Sequence, residues 1–247
     1  MMRALDLFCS AGGATRGLQL AGFHVVGIDH KPQPRYCGDV FIQADALAPP
    51  LRLQDFDLVW ASPPCQAYSI ANTRWGYMYP DLVGATRELM AGHPCTVIEN
   101  VPGAPIRADV VCVGSMFGLD VARRRHFEIT GFPAPFALIP QTTRTVTNGG
   151  LACVAGHGAN RGRWQGRWLS MPPELRARLS ARNCKAGWAA AMGIDWMSRD
   201  ELCEAIPPAY AEFIGRAAAE TLAARGGGES GMASVDAQRR EPKATPA

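Results

Sequence analysis

Two side chains in this sequence pair reactive chemistry with strand-end positions: Cys65 in Ala61-Ser62-Pro63-Pro64-Cys65-Gln66 and Glu99 in Thr96-Val97-Ile98-Glu99-Asn100-Val101. A thiol becomes a strong nucleophile once it ionises. A Glu in so apolar a run is desolvated, which raises its pKa and makes it a proton donor near neutral pH. Phe56 to Trp60 is a short apolar run of β-forming residues, and a Pro-Pro pair cannot continue it, so Cys65 falls where a strand stops. In a doubly wound α/β protein the carboxyl ends of the strands line the ligand crevice. A lone Cys is more commonly a buried, inert thiol, so its surroundings must decide.

Those surroundings read as alternating strands and helices. Leu5-Asp6-Leu7-Phe8 predicts a first buried strand, followed by the turn Cys9-Ser10-Ala11-Gly12-Gly13 and a helix over 14–21. Glycines at a strand-to-helix turn let backbone approach a ligand and offer it helix N-terminal amides. The spacing departs from the dinucleotide pattern G-x-G-x-x-G, because Gly12 and Gly13 are adjacent and the next glycine is Gly17, which weakens an oxidoreductase reading. Strands over His24–Asp29 and Val40–Asp45 each end in a carboxylate. Asp29 is placed to accept hydrogen bonds from a ribose, although an isolated Asp there is often a cap or turn residue.

Ile70 to Pro80 interleaves Trp75, Tyr77 and Tyr79 with Arg74, a composition suited either to a loop that covers an extruded base or to one tucked against the core. A helix is expected over Asp81–Gly92, with further strands at Thr96–Val101, Val110–Val113 and Arg124–Ile129. Helices are expected over Ala186–Met197 and Glu201–Ala224, parted by Pro207-Pro208. The pattern predicts an α/β fold with a doubly wound, mostly parallel sheet. Its parts are a core over 1–131, a small irregular region over 132–185 that is rich in Gly, Pro, Thr and Arg, C-terminal helices over 186–225, and a disordered tail over 226–247.

Pro63-Pro64-Cys65-Gln66 with Ser69, the upstream Asp6-Leu7-Phe8 and Gly12-Gly13, Glu99-Asn100-Val101, and Arg123 and Arg125 occur in the order of the cytosine-C5 DNA methyltransferase family, which the chain resembles closely over about 4–131 and loosely over 186–222. The resemblance implies a Rossmann-like S-adenosylmethionine-dependent methyltransferase. It implies transfer of the methyl group to cytosine C5 in DNA, through a covalent bond from Cys65 to C6 of a flipped-out base, as in restriction-modification systems. Cys65, Glu99, Arg123 and Arg125 are the implied catalytic residues. Asp6, Phe8 (against the adenine), Gly12, Gly13, Asp29, Asp45 (on the adenine amino group) and Pro63 are the implied cofactor contacts. Gln66, Ser69, Arg74, Arg161, Arg163 and Arg167 are the expected nucleic-acid contacts, the Arg-rich loop being equally compatible with a passive solvated face. The chain departs from the family at Val121, where a Gln is usual, and at Glu204, where an Asn is usual; the 132–185 region is a reduced target-recognition region. RNA cytosine methylation, or a silent DNA-binding relative, are the alternatives; the silent form should lack Cys65 or Glu99, and both are present.

Composition is consistent with this reading. The 247-residue chain is 47% hydrophobic, ample for a packed core. Eight cysteines at 9, 37, 65, 95, 112, 153, 184 and 203 show no Cys-x-x-Cys spacing, which argues for reduced thiols and against a metal or disulfide framework. The net charge is +3, but between 129 and 194 eight basic residues (Arg144, Arg161, Arg163, Arg167, Arg176, Arg178, Arg182, Lys185) face the single acid Glu174, the asymmetry expected of a phosphate-facing surface. No signal peptide or membrane span is read. A monomer acting on double-stranded DNA in the cytoplasm of a bacterium or phage-infected host, without metal or membrane, is the expectation.

Overall fold

A computed structural model of the chain describes residues 1–68, 79–139, 152, 154, 173, 174, 177 and 184–237. Seven strands form one sheet: β1 (Arg3–Leu7), β2 (His24–Asp29), β3 (Val40–Gln43), β4 (Leu58–Ala61), β5 (Thr96–Asn100), β6 (Val110–Cys112) and β7 (Arg125–Thr130), in the order β3-β2-β1-β4-β5-β7-β6. Strands β3, β2, β1, β4 and β5 pair in parallel, and β7 runs antiparallel to both β5 and β6. The strand order reverses between β1 and β4. This is the doubly wound, mostly parallel sheet expected from the sequence, and the switch point is where such sheets open a crevice.

The central strands are buried on both faces, so β1 and β4 read as near-continuous apolar runs. One face of the sheet packs Ala4, Val25, Trp60, Val97 and Phe127 against Leu18 of α1 (Gly13–Leu20) and Tyr210 and Ile214 of the C-terminal helix. The other face packs Leu5, Leu7, Val26, Val59 and Ile98 against Leu53, Phe56, and Leu89 and Met90 at the end of α2 (Val83–Leu89). A third cluster joins Ala11 of the glycine turn, Val121, Ala152 and Val154 to Trp188 and Met192 of α3 (Lys185–Met192) and Leu202 of α4 (Arg199–Glu204).

Element ends differ from the sequence reading for identifiable reasons. Helix α3 stops at Met192 rather than Met197 because Gly193 takes a left-handed conformation, φ +68°, and closes the helix with bonds to the Ala189 and Ala190 carbonyls. Helix α2 begins at Val83; Asp81 lies outside it and accepts the Val83 amide through its side chain. Phe8 has φ +60° and leaves the strand that the sequence assigns to it. The last helix, α5 (Pro208–Ala237), continues past Ala224 into residues read from the sequence as a disordered tail. Once a helix is nucleated each further residue adds a hydrogen bond, which offsets the roughly 1 kcal/mol cost of each glycine. Residues 238–247 lie outside the described residues. Among the described residues no helix is long and apolar enough to cross a membrane.

Helix α1 crosses α5 at Gly17. A Cβ there would stand 2.6 Å from the Glu212 amide nitrogen and 2.8 Å from the Ala211 Cβ, so the close approach requires glycine. Gly17→Ala should therefore destabilise the fold by about 1–3 kcal/mol, although alanine is intrinsically the better helix former by about 1 kcal/mol. Chemical denaturation checks this; a variant as stable as the parent or more so would contradict the packing argument.

Candidate active site

The site is built from the carboxyl ends of β4 and β5 and the start of β7. After Ala61 the chain leaves the sheet through Ser62, Pro63 and Pro64 and presents Cys65 ahead of a single 3-10 turn, Gln66–Tyr68. The Asn100 side chain holds this exit in place: its Nδ2 donates to the Pro63 carbonyl at 3.0 Å and its Oδ1 accepts the Val101 amide at 2.8 Å. Pro63 is buried and Cys65 half-buried. Burial pushes the Cys65 thiol above its ordinary value; Arg125 draws it back, Glu99 adds to the rise, and Arg123 again lowers it.

Glu99 is 6% exposed at the end of β5. The Arg125 Nε lies 3.0 Å from Glu99 Oε1. Burial raises the Glu99 pKa, as expected from the sequence, and Arg125, Arg123 and a hydrogen bond from the Ser62 side chain oppose the rise. Arg125 also donates from Nη1 to the Arg124 carbonyl at 2.8 Å, and its Nη2 has no partner among the described residues. Cys65, Glu99 and Arg125 thus come together.

Arg123 is arranged differently. It is 4% exposed, and its terminal nitrogens donate to the carbonyls of Val154 (2.9 Å) and Cys203 (2.7 Å). Burial and the neighbouring Arg125 push its pKa down to about 9. Arg123 therefore ties the core to residue 154 and to the end of α4. Val121, the departure from the family's Gln, is 1% exposed in the third apolar cluster and pairs with Ala152, where an amide side chain would need partners that this cluster does not offer.

Across the switch point stands the glycine turn. Phe8 (φ +60°), Ser10 (φ +45°) and Gly12 (φ +91°) all take left-handed backbone conformations, which for Phe is costly and recurs where a ligand is clamped. A Cβ on Gly13 would meet the Ile206 carbonyl oxygen at 2.6 Å. Asp6, fully buried, accepts from Thr15 Oγ1 at 2.5 Å through Oδ2, while its Oδ1 has no partner. Tyr36 OH lies 3.3 Å from Thr15 Oγ1. An orphaned carboxylate oxygen beside a glycine turn fits a cationic small molecule such as S-adenosylmethionine, and burial raises the Asp6 pKa to about 7.

Asp29 is also at this end, but its oxygens already accept the amides of Ser10 (3.0 Å) and Lys31 (2.9 Å). Oδ1 also lies 3.3 Å from His30 Nδ1, so Oδ2, with the Ser10 amide alone, is the oxygen that keeps a lone pair for a ligand. Asp45 is exposed and accepts the Leu47 amide at 2.9 Å, an Asx turn that leaves its second oxygen outward. Glu204 reaches the turn through Ser10, whose hydroxyl donates to it at 3.3 Å. Gln66 is exposed beside Cys65. Ser69, Arg74, Arg161, Arg163 and Arg167 lie outside the described residues. Ser62, Asn100 and Thr15 had no assigned role in the sequence reading; the signal for Ser62 and Asn100 was a polar side chain at a strand end, and for Thr15 a polar side chain in the first turn of the helix after the glycines. Among the described residues no group of three or more His, Cys, Asp or Glu side chains could hold a metal ion.

Residues 2–103 match the C-5 cytosine-specific DNA methylase family. This segment belongs to the cytosine-C5 DNA methylase family. No curated protein matches the chain as a relative. Two solved structures share the fold. One is a proposed DNA modification methyltransferase encoded within an E. coli prophage, with TM-score 0.55 and 14% identity, covering 90% of this chain and 99% of that one. The other is the S. pombe Dnmt2 methyltransferase, with TM-score 0.57 and 13% identity over the same shares. The methylase match contains the glycine turn, Cys65 and Glu99, whereas Arg123 and Arg125 lie beyond it.

The Asp6 carboxyl gives this methylase core a pH signature. Its folded pKa, about 7, lies above the ordinary 3.8, so the folded chain keeps a proton that the unfolded chain has lost. The contribution to stability is complete below about pH 4 and is lost as pH rises through 7. Between pH 5 and 8 the stability difference should therefore shift in favour of Asp6→Asn by about 1–3 kcal/mol. Parallel denaturation curves of parent and variant check this, and a pH-independent difference would contradict it.

Proposed function

We propose that the protein transfers a methyl group from S-adenosylmethionine to C5 of cytosine in DNA. The observation that carries this reading is the convergence of Cys65, Glu99 and Arg125 at the ends of β4, β5 and β7, with the Arg125–Glu99 contact at 3.0 Å, across the switch point from the glycine turn. The family match over residues 2–103 supports it.

Cytosine C5 is a weak nucleophile while its electrons belong to the aromatic ring. Cys65 gives up its thiol proton to solvent water and its sulfur adds to C6, while the Glu99 carboxyl, whose pKa burial raises, donates its proton to N3. C5 then carries enamine electron density. Arg125 holds the base carbonyl and offsets charge that develops there. When bound, S-adenosylmethionine supplies the sulfonium methyl group that C5 takes up. Its holders in this chain are the Gly12-Gly13 turn, the Asp6 Oδ1, Asp29, Asp45 and Phe8, with Pro63 bordering the site. Loss of the C5 proton to a solvent water or hydroxide and β-elimination, with the N3 proton returning to Glu99, release Cys65 as the thiolate. C6 is inaccessible inside a duplex, so the cytosine must leave the stack; Gln66, Ser69, Arg74, Arg161, Arg163 and Arg167 are the proposed contacts to the nucleic acid.

Cys65→Ala should abolish methyl transfer, with cofactor affinity unchanged, and a duplex carrying 5-fluorocytosine should trap the parent protein covalently, since fluorine cannot leave as a proton does. Retained turnover in Cys65→Ala refutes the assignment of the nucleophile. Labelled methyl transfer measured side by side on duplex DNA, single-stranded DNA and tRNA identifies the substrate.

The small basic 132–185 region is suited to neutralising phosphates and to few bidentate base contacts, so the methylated motif should be about two to four base pairs. Bisulfite-type sequencing of a plasmid modified in a host lacking other methyltransferases reads it directly; six or more specified positions would contradict this.

A further inference from the structure

The Trp60 side chain is fully buried in the sheet, yet its indole N–H donates to Ser62 Oγ at 3.1 Å. An indole nitrogen is a donor only, so Ser62 Oγ must accept there, and its own proton is directed to another acceptor. The register supplies that acceptor. Ala61 of β4 pairs with Ile98 of β5, so the next residue along each strand places Ser62 beside Glu99, whose carboxylate receives the Ser62 hydroxyl. The Ser62 amide donates to the Leu7 carbonyl at 3.1 Å, which fixes the backbone from which the hydroxyl acts.

We propose that Ser62, oriented by the Trp60 indole, is a positioning residue that sets the Glu99 carboxyl: with Arg125 Nε on Oε1 and the Ser62 hydroxyl as second donor, the carboxyl has one rotational setting and turns its remaining position, the one that carries the donated proton, towards the substrate. A branched aliphatic residue at position 60 would fill the same core but leave the Ser62 hydroxyl free to rotate away. Trp60 braces the other donor as well. Its ring packs on Phe127 with centroids 5.7 Å apart, and Phe127 pairs with Glu99 in register, two residues after Arg125. One buried indole therefore positions both groups that hold the carboxyl.

This inference rests on the proposed role of Glu99 as proton donor, and the test separates the two. Ser62 donates to the ionised carboxylate, so its removal favours the protonated form. In Ser62→Ala, carbon-13 titration of the glutamate carboxyls in the protein alone should show the Glu99 pKa about one unit higher, a tenfold change in its proton affinity. Steady-state methylation of duplex DNA should show kcat lowered about tenfold with KM changed less than twofold, and the alkaline limb of the pH profile displaced upward. Ser62→Thr, which keeps the hydroxyl, should restore both readouts. Trp60→Phe should move the titration in the same direction. An unshifted Glu99 titration in Ser62→Ala overturns the positioning role even if the parent methylates DNA. A shifted titration in a parent that transfers no methyl group to any nucleic acid supports the positioning and overturns the functional reading.

Discussion

The buried charge of Glu99 is the constraint around which the site is arranged. A carboxylate at the end of a fully buried strand is costly unless donors meet it, and breaking a buried pair by removing one partner typically costs about 3–5 kcal/mol. Arg125 meets it because β7 runs antiparallel to β5. The start of β7 therefore lies beside the end of β5, where the crevice is. A parallel β7 would have carried Arg125 to the opposite edge of the sheet. The one antiparallel strand, next to last in the order between β5 and β6, is thus what brings the guanidinium to the carboxyl.

The opposing effects at this pair are useful because they do not cancel. Desolvation favours the neutral acid, while Arg125, Arg123 and Ser62 favour the ionised form, and the balance leaves Glu99 above its ordinary range. Cys65 sits in the same field, with its thiol raised by burial and drawn back by Arg125. The proposed proton donor and the proposed nucleophile share one arginine and respond together to anything that moves it. Asp6 across the switch point shows the same desolvation without a compensating cation, and it retains an unpartnered oxygen.

Arg123, a catalytic residue by resemblance, is held by backbone in the folded chain. Its guanidinium is spent on the Val154 and Cys203 carbonyls, and its own carbonyl accepts the Tyr210 hydroxyl at 2.7 Å. It therefore joins the start of β7, residue 154 and the last two helices. The loss of glutamine at 121 follows the same logic, since that position lies in the apolar cluster shared with α3 and α4.

Much of this was legible in the linear sequence. Apolar runs broken by Gly-Gly, Pro-Pro or a terminal Asp marked β1, β2, β4 and β5, because a strand buried on both faces must be apolar throughout and must end where proline or glycine ends it. The same punctuation located Cys65, Glu99 and the glycine turn. The positive φ at Phe8 left no mark, because nothing in the side chain of Phe signals a left-handed backbone. Neither did the direction of β7, the capture of Arg123 by backbone carbonyls, nor the line from Trp60 through Ser62 to Glu99. Each depends on which atoms lie opposite one another across strands, and register is a property of the folded sheet. The sequence by itself determined which side chains stand at strand ends and what chemistry they could do; the tertiary structure decided which of them meet, because hydrogen bonds and ion pairs are fixed by distances between segments that the chain order leaves open.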